Sequence, residues 1–421
     1  MNNKLKIIIT FLAILQLATC IDPYVPKLAG YNSLLVVDGL LTNENSAYTV
    51  RLSRTFQEHD STPVRVSDAT LYLTDDNGNT SYFINLENGI YKTDSIDFRG
   101  VVGRTYVLHI LTKENEEYES DPGLMLPVPD IDNIHFGRDQ QLINNSTQNQ
   151  DGVSFYLDSK WGDNNEYYRW SFDETWEFRV PFPKKFDFLF MWDGHDHGEV
   201  IPTAPRLIPV SQIKEYCWKT NQSNDIIIRS DLNGQKGSFQ NQPINFIASD
   251  KSDRLSLKYS ILVKQYSISK EEYQFWNNLN KISVEGGDIF ARQPFAVTSN
   301  IHNIKNPDER VLGYFKVSAV TQKRKNITIS DIAKLSVPAF HQSCVIMDKE
   351  PLDFETRCQC PPKTWDDVYW YMTIASNYAF VQPYYNPATH DLVKMEFTTQ
   401  ECADCELTGT SKKPDFWDEF N

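Results

Sequence analysis

Two packed β-units with little helix are what this 421-residue sequence predicts. Three observations carry that expectation. Apolar residues recur with period two in one segment after another, Asn, Gly and Pro punctuate those segments, and a single stretch has strong helix-start chemistry. The fold class is therefore mainly β. Its boundaries read as a signal peptide over 1–20, a first β-sandwich over 21–126, a second β-rich domain over 127–340, and a Cys-rich C-terminal segment over 341–421 that packs on the second domain.

The first 20 residues have the layout of a secretory signal. Lys4 and Lys6 form a positive start, and an apolar run of about a dozen residues follows from Ile7 to Ala18, too short for the ~20 that span a bilayer. The run ends Leu17-Ala18-Thr19-Cys20. An aliphatic residue, a small residue and then cysteine is the pattern at which lipoprotein processing cuts and acylates the new N-terminal thiol. Thr19 departs from the Gly, Ala or Ser usual at its place. The expectation is a chain lipidated at Cys20 and held on the bacterial outer membrane, at its surface or its periplasmic face. The rival is cleavage near Ala18 with Cys20 an ordinary thiol, which an odd cysteine count in an oxidising compartment disfavours. Several acyl chains, at about 0.8 kcal/mol per buried methylene, make such an anchor permanent.

From Leu34 to Ser120 the chain alternates. Leu34 to Leu41 is strongly apolar; Tyr48, Val50 and Leu52 alternate with Thr49 and Arg51; Ala69, Leu71 and Leu73 alternate with Thr70, Tyr72 and Thr74; Tyr106, Leu108 and Ile110 form another such face. Asp76-Asn77-Gly78-Asn79 stands before Tyr82-Phe83-Ile84, and Asn-Gly supplies the positive φ of a tight hairpin. Gly89 and Gly103 punctuate the rest. About seven short strands over ~100 residues read as an Ig-like or prealbumin-like sandwich.

Leu126-Pro127-Val128-Pro129-Asp130 breaks the pattern, because proline cannot donate to a ladder, and marks the domain boundary. Beyond it the second, sandwich-like domain shows alternation at Tyr168, Trp170 and Phe172 and at Trp176, Phe178 and Val180, with further strands from Leu255 to Gln265 and from Val311 to Thr321. Between those two lies an inserted helix near 269–281. Ser269 and Glu272 have capping-box spacing, Ile268 and Tyr273 are placed as a hydrophobic staple, and Tyr273, Trp276 and Leu279 form a face to pack on a sheet. In the last 80 or so residues, Thr364 is placed to cap a short helix.

Seven cysteines less Cys20 leave Cys217, Cys344, Cys358, Cys360, Cys402 and Cys405. An even number in an exported chain favours disulfides, with 15 possible connectivities for six cysteines. Their concentration after residue 340 implies a stapled, irregular C-terminal segment. A zinc site on Cys358, Cys360, Cys402 and Cys405 is the alternative, and the single residue between Cys358 and Cys360 fits it poorly.

Loss of Lys4 and Lys6 takes the formal charge from −15 to about −17. Nucleic acid is excluded as a partner, since phosphate binding needs clustered Lys and Arg. There is no Gly-x-Ser-x-Gly elbow, zinc-protease motif, phosphate loop or dinucleotide fingerprint. No catalytic residue, cofactor or metal is assigned, and the chain is read as not an enzyme. Asp193-Gly194-His195-Asp196-His197 is the one chemical-looking constellation, because His-x-His on a strand puts both rings on one face; in a glycine-flanked loop it reads more simply as a solvated turn. Before it stand Phe182, Phe186, Phe188, Phe190 and Trp192. The last four share one strand face, most simply a buried one. Exposed, that face with His195 and His197 would be a partner or ligand surface.

Taken together, several motifs are specific. They are Leu35-Val36-Val37-Asp38-Gly39-Leu40-Leu41-Thr42, Pro127 with Pro129, Tyr216-Cys217-Trp218, Phe275-Trp276, Phe290 with Pro294, Asn300-Ile301, and Val311-Leu312-Gly313-Tyr314-Phe315. Cys402-Ala403-Asp404-Cys405 follows, leading to Gly409-Thr410 and Lys413-Pro414-Asp415-Phe416-Trp417. On these the chain resembles the outer-membrane lipoproteins grouped as domain-of-unknown-function family 4249, with Thr408 and Thr19 as departures. The resemblance implies location and company: such lipoproteins look like accessories of TonB-dependent outer-membrane transporters, and no catalytic residues carry over. The function expected is a lipid-anchored, non-catalytic binding or accessory protein in nutrient capture or uptake, with a small-molecule or glycan ligand unspecified. The alternatives are a surface glycan or peptide hydrolase and a purely structural envelope lipoprotein.

Overall fold

The computed structural model describes residues 33–55, 64–93, 98–142, 148–162, 165–189, 206–231, 237–285, 297–350, 365–370, 372–373 and 376–419. Within them the chain is mainly β, as the alternation predicts. The first unit contains β1 (Leu35–Leu41), β2 (Thr49–Arg54), β3 (Val64–Arg65), β4 (Thr70–Asp75), β5 (Thr80–Asn85), β6 (Ile90–Thr93), β7 (Thr105–Leu111), β8 (Glu117–Ser120) and β9 (Gly123–Leu124). The inward residues are the ones that alternation marks: Val50, Leu52, Leu71, Leu73, Tyr106, Leu108 and Ile110 are all buried in one core. The β4–β5 hairpin turns at Asp76–Asn79, with Gly78 at φ +80°. Asp75 fixes that turn by accepting from the Asn77 and Asn79 amides at 3.0 and 2.9 Å.

The second unit contains β10 (Ile131–Leu142), β11 (Asn149–Lys160), β12 (Tyr167–Arg179), β13 (Phe186–Leu189), β14 (Arg206–Pro209), β15 (Tyr216–Gln222), β16 (Ile227–Ser230), β17 (Ser238–Ala248) and β18 (Lys258–Ser267), then helix α1 (Lys270–Glu285). Its core lies between the sheet β10-β11-β17 and the sheet β15-β12-β18. Tyr168, Trp170, Phe172, Trp176 and Phe178 all come from β12, one long strand where the alternation shows two short runs. Two prolines hold the boundary by their carbonyls: buried Gln265 donates to Pro129 O at 2.9 Å, and Ser267 to Pro127 O at 2.6 Å.

After α1 the chain returns to the first unit. β19 (Ile301–Asn303) pairs antiparallel with β8, and β20 (Leu312–Val317) pairs parallel with β1, so among the described residues the first sheet runs β19-β8-β7-β4-β5-β6-β2-β1-β20. The boundaries read from the sequence put both stretches in the second domain, with a strand expected only over Val311 to Thr321; in the structure they are hydrogen-bonded into the first unit. The stretch read as one strand, Val311 to Thr321, is two. At buried Ser318-Ala319 the chain crosses over, and β21 (Val320–Thr328) joins β18 in the second sheet. Period two reports which face is buried and says nothing of which sheet supplies the cover.

Helix α2 (Ile329–Lys334), β22 (Met347–Lys349), helix α3 (Trp365–Trp370), β23 (Tyr378–Tyr385) and β24 (Leu392–Thr399) complete the chain. The sheet β22-β24-β23 and α3 form a small third core around Tyr369, Phe380, Met395 and Phe397. Disulfides join Cys217 to Cys405 and Cys344 to Cys402. Both thiols proposed at the C-terminal end of a zinc site are therefore oxidised, and Cys358 and Cys360 lie outside the described residues. Trp218 exchanges backbone bonds with Thr410 at 2.9 Å in each direction, docking the tail on β15 next to the bridge.

Candidate functional site

Of the places among the described residues where charged or aromatic groups meet, three bear on a site, and each sits differently in the fold. The first is internal. Glu174 stands on β12 between Phe172 and Trp176, in the register that faces the core, and is almost fully buried. Its Oε2 accepts from the Tyr259 hydroxyl at 2.9 Å, and its Oε1 accepts from Asn221 Nδ2 and pairs with Arg254, each at 3.0 Å. Asn245 donates to the Tyr259 oxygen at 3.2 Å. Burial and the Glu174 charge push the Tyr259 phenol well above its ordinary range. Both carboxylate oxygens are committed to internal donors, so this arrangement ties β12, β15 and β18 in register and aims no lone pair at a substrate. These residues are invisible to motif reading because four strands and the short turn at Asp253–Leu255 supply one each. A charged residue on the apolar parity of a strand is the one signal that marks Glu174.

The second is a cleft of about 590 Å³ where the described chain begins, lined by Ser33, Leu34, Arg54, Glu116, Asn306, Asp308, Glu309 and Arg310. At its base the buried Tyr118 hydroxyl lies 2.9 Å from Glu116 and 2.8 Å from Glu309, and Arg54 pairs with Glu116 at 3.1 Å. Burial, reinforced by the two carboxylates, raises the Tyr118 phenol far above its ordinary value. Arg54 and Glu116 are thus occupied with each other, and Glu309 also accepts from Asn303.

The third is open. On the outer face of the first sandwich, Tyr82, Tyr72, His109, Glu119 and His302 stand side by side across β5, β4, β7, β8 and β19. Tyr72 and His109 stack with centroids 4.5 Å apart and planes 9° from parallel, and Tyr82 leans on Tyr72 at 5.5 Å. His109 is held by both nitrogens, to Thr74 at 2.9 Å and Glu119 at 3.0 Å. Tyr82, 59% exposed, ends the stack toward water, with Ile84 exposed beside it. A row with stacking rings at one end and a hydrogen-bonding carboxylate and imidazoles at the other has the chemistry of a contact surface.

The residues that sequence reading singles out are placed only in part. Phe186 lies on β13 and packs against the third core with Leu207, which makes it a core residue. Phe182 is half-buried, its amide donating to Cys402 O at 3.1 Å. The side chain of Phe188, and Phe190, Trp192, His195 and His197, lie outside the described residues, as does Cys20. Among the described residues no three His, Cys, Asp or Glu side chains are grouped to hold a metal ion, and no helix is long and apolar enough to cross a membrane.

Residues 21–324 match the family described as Domain of unknown function (DUF4249). The chain belongs to that family. The DUF4249 match takes in both sandwiches and ends within β21, so the motifs from Cys402 onward lie C-terminal to it. No curated protein matches the chain.

Proposed function

We propose that this DUF4249 chain is a lipid-anchored, non-catalytic accessory protein of the bacterial outer membrane, working beside a TonB-dependent transporter in nutrient capture or uptake. The observation that carries the proposal is Cys20 at the end of a short apolar signal. Membership of a family whose lipoproteins resemble transporter accessories supports the partner. The Tyr82–His302 row is assigned as the contact surface because it is exposed and set on a rigid sheet.

Two measurements test the two halves separately. Cells fed a labelled palmitate analogue incorporate it into the wild-type protein, and Cys20→Ser abolishes both the label and sedimentation with membranes. A wild-type protein that stays unlabelled removes the anchor. Mild detergent extraction followed by affinity purification recovers a TonB-dependent barrel; repeated recovery of no barrel removes the partner and leaves the anchor standing.

A further inference from the structure

The chain passes from the first sandwich to the second at Pro127–Pro129 and again at Ser318-Ala319, and α1 is wedged against the later passage. The joint is densely bonded. Ser318 N donates to Leu41 O at 3.0 Å, Val320 N to Asn43 Oδ1 at 2.7 Å, and Ser267 N to Ala319 O at 3.1 Å. Into it α1 carries Glu272. The sequence spacing predicts that this side chain caps its own helix, and half of that box forms, the Glu272 amide donating to Ser269 Oγ at 3.1 Å. The carboxylate turns inward instead and is almost wholly buried: Oε1 accepts from Trp276 Nε1 at 3.1 Å, and Oε2 from Ser318 Oγ, in the crossover itself, at 3.2 Å.

Both of those bonds are to neutral groups. The charged and titratable neighbours act from further off and come from every side. Arg169 of β12 is stacked 4.2 Å over Tyr266 of β18 and 5.0 Å from Trp276. Lys316 and Tyr314 come from β20, and Lys316 is paired at 2.5 Å with Asp38 of β1, which Arg51 of β2 also meets at 3.7 Å. Glu271 on α1 and Asp121 beyond β8 complete the set around Tyr314.

We propose that α1 is a pH-sensitive clasp on the joint between the sandwiches, closed more firmly when Glu272 is protonated and loosened when it is ionised. An ionised carboxylate removed from water favours any opening that rehydrates it, and a neutral carboxyl does not. Burial pushes the Glu272 carboxyl above its ordinary range, and the fields of Arg169 and Lys316 with the bonds to Trp276 and Ser318 offset only part of that. The closed joint thus binds the proton more tightly than the open one, and its stability falls as pH rises through the range above the usual glutamate value. Asp38 works in the opposite sense and at lower pH. Burial opposes its charge, but Lys316, Arg51 and Arg169 overcome this and hold it below the usual aspartate value, so its contribution is lost only on stronger acidification. The two windows do not overlap.

Hydrogen exchange of the Ser318 and Val320 amides, taken as a ratio to the Leu108 amide in the first core, reads the joint directly. In the mature chain this relative protection is expected to fall about threefold or more between about pH 5 and pH 8. Glu272→Gln, which keeps an acceptor for Trp276 or Ser318 without the charge, is expected to stay protected throughout. A wild-type ratio that is flat with pH overturns the clasp, and so does a Glu272→Gln ratio that follows the wild type. Should the variant fail to fold, the wild-type ratio decides alone.

Discussion

At Gly313 the parallel pairing of β1 and β20 comes down to a missing side chain. The residue has φ +88°, and a Cβ there would stand 1.9 Å from Val37 O. No side chain fits in that space, and the backbone conformation is one that L-residues rarely adopt. Gly313→Ala is expected to cost roughly 2–4 kcal/mol, read as a lower urea midpoint with little change in slope. A midpoint equal to the wild type's would mean that the β1–β20 pair carries no stability. Glu174 shows the complementary case, in which a buried carboxylate is tolerated because Arg254, Asn221 and Tyr259 meet both its oxygens. No motif marks Glu174, and the capping box that the spacing gives Glu272 holds for its amide and fails for its carboxylate.

At the scale of the strand, legibility followed locality. The inward faces of β1, β2, β4 and β7 and the Asn77-Gly78 turn were readable because period and turn chemistry are properties of a few adjacent residues. Partners were not. Val311 to Thr321 reads as one strand, yet Phe315 and Val317 cover the first core, and Val320 starts the second sheet. The outer row was also hidden, since Tyr72, Tyr82 and His109 look like ordinary solvent-side residues until β4, β5 and β7 are in register. Its exposure separates stability from contact. Tyr82→Ala should leave the unfolding free energy within about 0.5 kcal/mol of wild type, because an exposed ring contributes little to the core, while reducing recovery of the transporter in mild detergent. Undiminished recovery would assign the contact to another face.

For the whole molecule, the Pro127 boundary marks a change of direction more than a division. Residues 21–126 supply nine of the strands in the first sheet, and β19 and β20 close its two ends from beyond residue 300. Expressed alone, the fragment 21–126 is expected to lack a cooperative thermal transition, since Ile301, Phe315 and Val317 are missing from its core. A sharp transition in that fragment would show the late strands to be dispensable. The Cys217–Cys405 bridge spans 188 residues and closes the second unit in the same late manner, joining β15 to the tail.

This interleaving sets a timetable. Synthesis runs from the N-terminus, so β1 emerges roughly 275 residues before the strand that covers its flank. At ribosomal speeds of about 5–20 residues per second the delay is on the order of tens of seconds. Throughout it, the bare flank of Leu35–Leu41 is a template for any stray strand, and it stays so until Leu312–Val317 arrives.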